Sequence, residues 1–393
     1  MFSPGQRGLD VQMESKPVKI LGAGLSGLTC ALNLAKAGYK VDVYERCPLV
    51  GGHYKQNPQM LPNWFSKEDV IEELEKCNIK INWINKIEQI EIYLKDQKVV
   101  FYGKKSPIGY TVLRGGEDSF EADLAKQAVS QGVRIITNFE KDIKVDVVAT
   151  GVSKILTVGY GQVYQGKFDP ATLKVLFNPD YSPTVGYCYF FPHSREVATV
   201  KTSKTLKDEG VDVKKNLEEF KKQYLGEKIR RENFLYDFGT KRSFGIPKSA
   251  ISSQGTFLVG ETAGFQDELF RFGMRYAIIS GYLAAKAIIQ DLDYDELWKK
   301  RFLSEFQRTA RVRKIFCDFK KKGLKSLPES LELYIEIDRF KKLWLSGGFN
   351  GLLALSPLYQ HFLFNKFFLE VALKVLSSFN LFSKKDEIDL PPL

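Results

Sequence analysis

The chain has 393 residues, 44% of them hydrophobic and 27% charged, so it is long and apolar enough to bury a substantial core in two or three units, which excludes a disordered chain. Its cysteines (Cys30, Cys47, Cys77, Cys188, Cys317) are never spaced C-x-x-C and its histidines (His53, His193, His361) are far apart, so neither a disulfide framework nor a metal is expected, and a reducing cytoplasm fits. The net charge of +11 favours anionic partners, and the basic residues gather late, between Lys299 and Lys325.

Residues 1–16 carry neither a signal-peptide core nor an arginine-rich amphipathic pattern and read as a disordered extension, with Met13 as an alternative start. From Lys16 the pattern predicts a strand (Val18 to Leu21), a glycine turn, a helix from about Ser26 to Ala37 and a strand from Lys40 to Tyr44, which is one βαβ unit. Leu28, Ala31, Leu32 and Ala35 recur at i, i+3, i+4 and i+7, so one helical face should pack on a sheet, and Gly38 ends the helix.

Further along, a helix is expected over 67–77 and paired strands between Ile79 and Tyr102. Asp118 or Ser119 caps a helix running to about Ser130, followed by a strand at Arg134 to Asn138 and the apolar run Asp146 to Ala149. Between Leu156 and Lys204, short runs of Tyr, Phe, Val and Thr broken by Pro, Asp and Gly have antiparallel strand composition. A polar helix over Val213 to Tyr224, a strand near Asn233 to Phe238, an apolar strand at Thr256 to Gly260 and a helix from about Gly273 to Asp291 complete the ordered pattern.

The implied fold class is α/β: a Rossmann-type nucleotide domain with an inserted antiparallel-sheet substrate domain and a helical C-terminal region. The nucleotide domain takes 17–60, 110–155 and 245–292, the substrate domain 61–109 and 156–244, and the basic C-terminal region 293–393.

Gly22, Gly24 and Gly27 form G-x-G-x-x-G between a predicted strand and a predicted helix. The first glycine allows the tight turn, the second the approach of a pyrophosphate, and the third close helix packing. Glu45 closes the second strand about 20 residues on, the spacing at which a carboxylate accepts both hydroxyls of an adenosine ribose. Glu45-Arg46 followed by Gly51-Gly52 looks like the FAD-binding form of this fingerprint, the second glycine pair letting the chain pass close to the cofactor. Val259-Gly260-Glu261-Thr262-Ala263-Gly264 is similar to the G-D-A-A segment by which related flavoproteins hold the ribityl chain, with Glu261 in place of Asp.

On these segments, with Leu113-Arg114 ahead of Ser119-Phe120 and Ala149-Thr150-Gly151, the chain resembles the geranylgeranyl reductase family of FAD-dependent oxidoreductases, within the p-hydroxybenzoate hydroxylase-like architecture. The resemblance covers somewhat over a third of the chain. It implies FAD bound by Gly22, Ala23, Gly24, Ser26, Gly27 and Leu28 at the first turn and by Glu45, Arg46, Gly51, Gly52 and His53 after the second strand. Arg114, Ala149, Thr150, Gly151, Gly260, Glu261, Gly273 and Met274 complete that set. Tyr187 to Pro192 resembles the Y-x-W-x-F-P segment lining the prenyl cavity of that family, with Tyr for Trp and without the glycines that usually follow. Glu268 stands where Pro is usual, and Arg271 where a small residue or Gly would lie against the isoalloxazine.

Arg271 therefore reads either as a cation that stabilises reduced flavin or as a solvated surface arginine, and Arg114 either as a phosphate ligand or as a solvated turn arginine. His53, Cys47, Tyr187 and Tyr189 are candidate proton donors, with His193 behind them; a lone histidine is more often structural, and the tyrosines suit a cavity wall better. The Asp-Gly pair of flavin hydroxylases and the W-x-W-x-I-P of halogenases do not occur. With one dinucleotide fingerprint, electrons are expected from transiently docked NAD(P)H or from a carrier such as ferredoxin.

Trp298 to Leu324 interleaves Lys and Arg with Phe302, Phe306, Val312, Ile315, Phe316 and Phe319, and Leu343 to Asn365 is apolar and uncharged but broken by Gly347-Gly348, Gly351 and Pro357. Either this region lies on an anionic membrane surface or it is a solvated basic helix closing the substrate domain; a span and nucleic-acid binding are disfavoured. The expected location is the cytoplasm or the inner face of a membrane. The expected activity is reduction of carbon–carbon double bonds in an apolar prenyl or lipid-like substrate, against a flavin monooxygenase or a lipid-binding or cyclase-like protein with non-redox FAD.

Overall fold

The computed structural model describes residues 16–322, apart from 55–56, 64, 66–67, 95–96, 104–105, 177–186, 227–228, 230 and 269. Strands β1 (Val18–Leu21) and β2 (Val41–Tyr44) flank helix α1 (Leu25–Lys36) in the expected βαβ unit. With β8 (Arg134–Ile136), β9 (Val147–Val148) and β15 (Phe257–Leu258) they form a parallel sheet in the order β15-β9-β1-β2-β8. The chain leaves β1 for β2 on one side and returns to β9 on the other, so a crevice opens at the carboxyl end of β1, where such sheets hold their ligands.

Helix α1 is buried on every side from Leu25 to Leu34, not on the single face that its periodicity suggests. It packs against the sheet and also against α3 (Phe120–Ser130) and α5 (Met274–Gln290), whose partners come from distant sequence. At Gly281 an added Cβ would lie 2.2 Å from the Ser26 carbonyl oxygen, so that glycine lets α5 press onto the start of α1.

A three-stranded antiparallel sheet, β3 (Asn57–Pro62), β7 (Gly109–Arg114) and β4 (Asn85–Ile87), joins this domain to the next. The substrate sheet has seven strands in the order β14-β10-β13-β12-β11-β5-β6: β5 (Gln89–Leu94), β6 (Gln97–Tyr102), β10 (Thr157–Gln165), β11 (Thr172–Leu176), β12 (Cys188–Pro192), β13 (Val197–Thr205) and β14 (Phe234–Arg242). All neighbours are antiparallel except β11 and β5. One face is covered by α4 (Val213–Phe220), through Leu217 and Phe220 against Ala198, Val200 and Phe190; the other faces the nucleotide domain.

Two boundaries differ from the sequence reading. Helix α2 (Val70–Glu75) and the Ile79 and Ile81 that follow it belong to the nucleotide-domain core, not to the substrate domain; the Asn33 side-chain amide donates to the Cys77 carbonyl at 2.9 Å, and Arg275 pairs with Glu73. Helix α6 (Tyr294–Lys322) likewise starts inside that core. Tyr294, Trp298, Phe302 and Phe306, four residues apart, are essentially fully buried, and Phe302 and Phe306 pack on Phe265 and Tyr276. This half of α6 thus closes the nucleotide domain rather than the substrate domain, and its aromatic stripe is unavailable to a membrane surface. The stretch Leu343 to Asn365 lies outside the described residues. Among the described residues no helix is long and apolar enough to cross a membrane, and no group of three His, Cys, Asp or Glu is placed to hold a metal ion.

Candidate functional site

The glycine turn behaves as its spacing predicts. Gly22 has φ 106°, a left-handed conformation, and an added Cβ would lie 2.4 Å from the Ala149 carbonyl oxygen, so β1 and β9 close against each other at this residue. At Gly27 a Cβ would lie 2.1 Å from the Gly22 carbonyl oxygen. Gly24, by contrast, has only the Ala149 carbonyl oxygen, at 4.0 Å, near the place of its missing Cβ. It is the N-cap of α1 and supplies no side-chain cap, which leaves the first amides of the helix to a ligand.

The Glu45 carboxylate is oriented by two backbone amides, Oε2 accepting from Ala23 at 2.8 Å and Oε1 from Cys47 at 2.9 Å. Each oxygen keeps lone-pair capacity for a hydroxyl. A glycine turn at a helix N-terminus, with a carboxylate held beside it, fits the ADP half of FAD.

A cavity of about 1430 Å³ opens from this turn. Of the expected cofactor residues it brings together Gly22, Gly24, Ser26, Glu45, Arg46, His53, Arg114, Ala149, Thr150, Gly151, Glu261, Gly273 and Met274. The others serve behind it. Ala23 orients Glu45, Leu28 is fully buried in the core, and Gly260 makes room for the Ser26 hydroxyl, 2.7 Å from an added Cβ. Gly51 packs on Glu121 and Gly115, and Gly52 on the Leu49 carbonyl, so this glycine pair shapes a turn against α3 instead of touching the cavity.

Arg114 is 8% exposed, ion-paired with Glu121, bonded to Gln59 at 3.2 Å and stacked 4.6 Å over the Tyr54 ring; it is not a solvated turn arginine. Glu261 accepts from the Ser243 amide at 2.8 Å, and burial raises its pKa. His53 stands at the open side of the cavity, its ring 3.9 Å from that of Tyr54. Desolvation, then the Arg114 charge, lowers its pKa, so it is neutral at neutral pH. The Cys47 thiol also lines the cavity, with its pKa raised by burial and by Glu45. His193 does not line it; the ring is buried, with Nε2 3.1 Å from the Thr199 hydroxyl, and burial pushes its pKa to about 4.

The floor of the cavity is the open face of the substrate sheet. Phe238, Gly161, Lys201, Tyr189 and Val175 stand side by side across five strands, and Phe191 and Leu173 extend the apolar surface. Tyr187 donates its hydroxyl to the Phe270 carbonyl at 2.6 Å, and burial pushes its pKa up to about 12. The neighbouring Tyr189 ring is 6.1 Å away. Its hydroxyl pKa is raised by burial as well, and it has no hydrogen-bond partner among the described residues.

Arg271 lies in the loop before α5, and the surface reading of it fails. It is 9% exposed, has φ 62°, and none of its three guanidinium nitrogens has a hydrogen-bond partner among the described residues; burial lowers its pKa to about 10, so it stays charged. Lys201 and Arg242, which share the cavity, escaped the sequence reading. The alternation V-A-T-V-K-T on β13 separates Ala198 and Val200 from Thr199 and Lys201, but which set meets a cavity depends on where α4 packs.

The comparisons with known proteins agree with this geometry at the level of fold. A family of NAD(P)-binding Rossmann-like domains matches residues 20–72. The L-amino-acid oxidase of Echis ocellatus is 35% identical over 81 residues, 21% of this chain and 16% of that relative; the curated relatives that match here share 16–20% of their own length with it. Among solved structures, a geranylgeranyl bacteriochlorophyll reductase-like protein from Thermoplasma acidophilum has a TM-score of 0.61 at 18% identity, covering 80% of this chain and 95% of its own. CmlS, a flavin-dependent halogenase, has a TM-score of 0.58 at 16% identity, covering 84% of this chain and 72% of its own. The chain has the FAD-binding fold of the flavin-dependent oxidoreductases.

Proposed function

We propose that the protein is an FAD-dependent reductase that saturates carbon–carbon double bonds of a prenyl or other lipid-like substrate. The observation that carries this reading is the single cavity running from the Gly24 and Glu45 cradle onto an aromatic and aliphatic sheet face, where Phe238, Tyr189, Phe191, Leu173 and Val175 suit an apolar chain. Bound FAD supplies the hydride.

The chain's own groups do the rest. Gly24, Glu45 and Arg114 hold the nucleotide, and the sheet floor excludes water from the reacting end. Tyr189 delivers the proton to the second carbon. Tyr189 lines the cavity and its hydroxyl has no hydrogen-bond partner among the described residues, whereas the Tyr187 proton is engaged by the Phe270 carbonyl and His53 is neutral at neutral pH. Electrons arrive from a transiently docked nicotinamide nucleotide or a carrier such as ferredoxin.

The test is anaerobic photoreduction followed by addition of polyprenyl lipids. Reoxidation of the flavin with a product two mass units heavier per double bond supports the reading, and Tyr189→Phe should slow that step about 100-fold while binding persists. A hydroxylated product that requires oxygen would make the protein a monooxygenase, and a flavin that no lipid reoxidises would make it a binding or cyclase-like protein.

A further inference from the structure

Two costs meet at Arg271: a left-handed backbone (φ 62°) at a non-glycine residue, and a buried guanidinium with no acceptor on Nε, Nη1 or Nη2 among the described residues. Such costs persist where a ligand repays them by supplying the missing acceptors. The loop bearing Arg271 is fastened to the start of β12, since the Phe270 carbonyl accepts the Tyr187 hydroxyl at 2.6 Å. The Tyr187 and Tyr189 rings are 6.1 Å apart, and the Lys201 ammonium stands 5.9 Å over the Tyr189 ring. Lys201 from the sheet and Arg271 from the loop thus flank the tyrosine pair.

Lys201 is the one cation in its cross-strand row, and it has no hydrogen bond or ion pair among the described residues. The guanidinium of Arg242, a third cation of the same wall, donates only to the Lys241 carbonyl among those residues. Among the described residues no acid forms an ion pair with Lys201, Arg242 or Arg271, although Glu261 feels the Arg242 charge and Asp267 and Asp208 act on Arg271 from a distance. Glu45 is held by the Ala23 and Cys47 amides, Glu261 accepts from the Ser243 amide, and Asp237 accepts from the Tyr160 hydroxyl at 2.8 Å. Burial, and after it the charges of Arg242 and Arg271, push the Lys201 pKa well down.

We propose that the substrate is amphipathic, an apolar chain ending in an oxyanion, carboxylate or phosphate, that seats between Lys201 and Arg271. The head group relieves the mutual repulsion of the cations and supplies acceptors to the guanidinium fork, while the chain lies along Tyr189, Phe191 and Val175. This rests on the lipid-like reading of the cavity and adds the head group to it.

The experiment titrates the FAD-loaded protein with decanoate, decyl phosphate and decanol, following the flavin absorbance and the heat of binding. One or both anions should bind about tenfold or more tightly than the alcohol, and the tighter of the two assigns carboxylate or phosphate. Lys201→Met and Arg271→Met should each remove most of that preference, whereas Lys201→Arg and Arg271→Lys, which keep the charge and guard against a folding defect, should retain part of it. Equal binding of anion and alcohol overturns the proposal, as does a preference that survives both methionine variants. It is also overturned if NADPH competes with the anions but not with decanol, which gives the cations to the donor's phosphates, or if Arg271→Met lowers the flavin potential and leaves the preference intact, which gives the guanidinium to the cofactor. A preserved anion preference with no turnover of unsaturated chains would instead remove the reductase reading and leave the head-group site standing.

Discussion

The nucleotide cradle at the end of β1 and the sheet floor of the cavity are assembled on opposite principles. In the cradle, residues within about 25 positions of one another do most of the work: Gly22, Gly24, Gly27 and Glu45 are set by one turn and one short strand, and their clashes and bonds are with near neighbours and β9. In the floor, adjacent residues such as Gly161, Lys201 and Tyr189 come from three strands, and their company is decided by register alone. A local turn tolerates almost no change of residue but is readable in one dimension. A register-built surface tolerates many residues, and so it can acquire a charge that no motif announces.

Substitutions sharpen this contrast. The largest effect is expected on the cradle: Gly27→Val puts side-chain atoms where the Gly22 carbonyl oxygen lies 2.1 Å from Cβ, and should cost more than about 4 kcal/mol and yield protein without visible flavin absorbance. Next, Arg275→Met tests whether α6 is anchored on the nucleotide side. It removes bonds to Glu73 (2.5 and 2.7 Å) and Glu305 (2.8 Å) at about 3% side-chain exposure, and denaturant melts should show a loss of about 3 kcal/mol.

A comparable effect in the substrate domain depends on pH. His193 is neutral in the native state down to about pH 4 but protonates near 6.5 when unfolded, so the unfolded chain binds more protons between those values and stability rises with pH across that window. That contribution totals about 3 kcal/mol, and unfolding midpoints of wild type and His193→Gln at both ends of the window should differ in slope accordingly.

Returning to the cradle, Glu45→Gln leaves one acceptor where two amides donate, and calorimetry should show FAD binding weakened about 10- to 100-fold with the fold intact. The smallest effect is at the joint between the two regions. Tyr187→Phe unfastens the Phe270 carbonyl and should cost about 1 kcal/mol, read as a small drop in melting temperature.

The amino-acid sequence by itself determined the βαβ unit, the glycine turn, Glu45, the strand composition of the substrate sheet and the helix from Met274, because each is written in a local period or in a residue with one steric role. Only the tertiary structure decided that α1 is buried all round, that α2 and the first half of α6 belong to the nucleotide core, that Gly51 and Gly52 support a turn, and that His193 is structural. It also decided the state of the cations. Arg114 and Arg271 look alike in one dimension, each a basic residue beside glycine or aromatic neighbours, yet one is ion-paired with Glu121 and the other has no hydrogen-bond acceptor among the described residues. Burial and pairing depend on what distant strands bring alongside, and a linear pattern carries no measure of that distance.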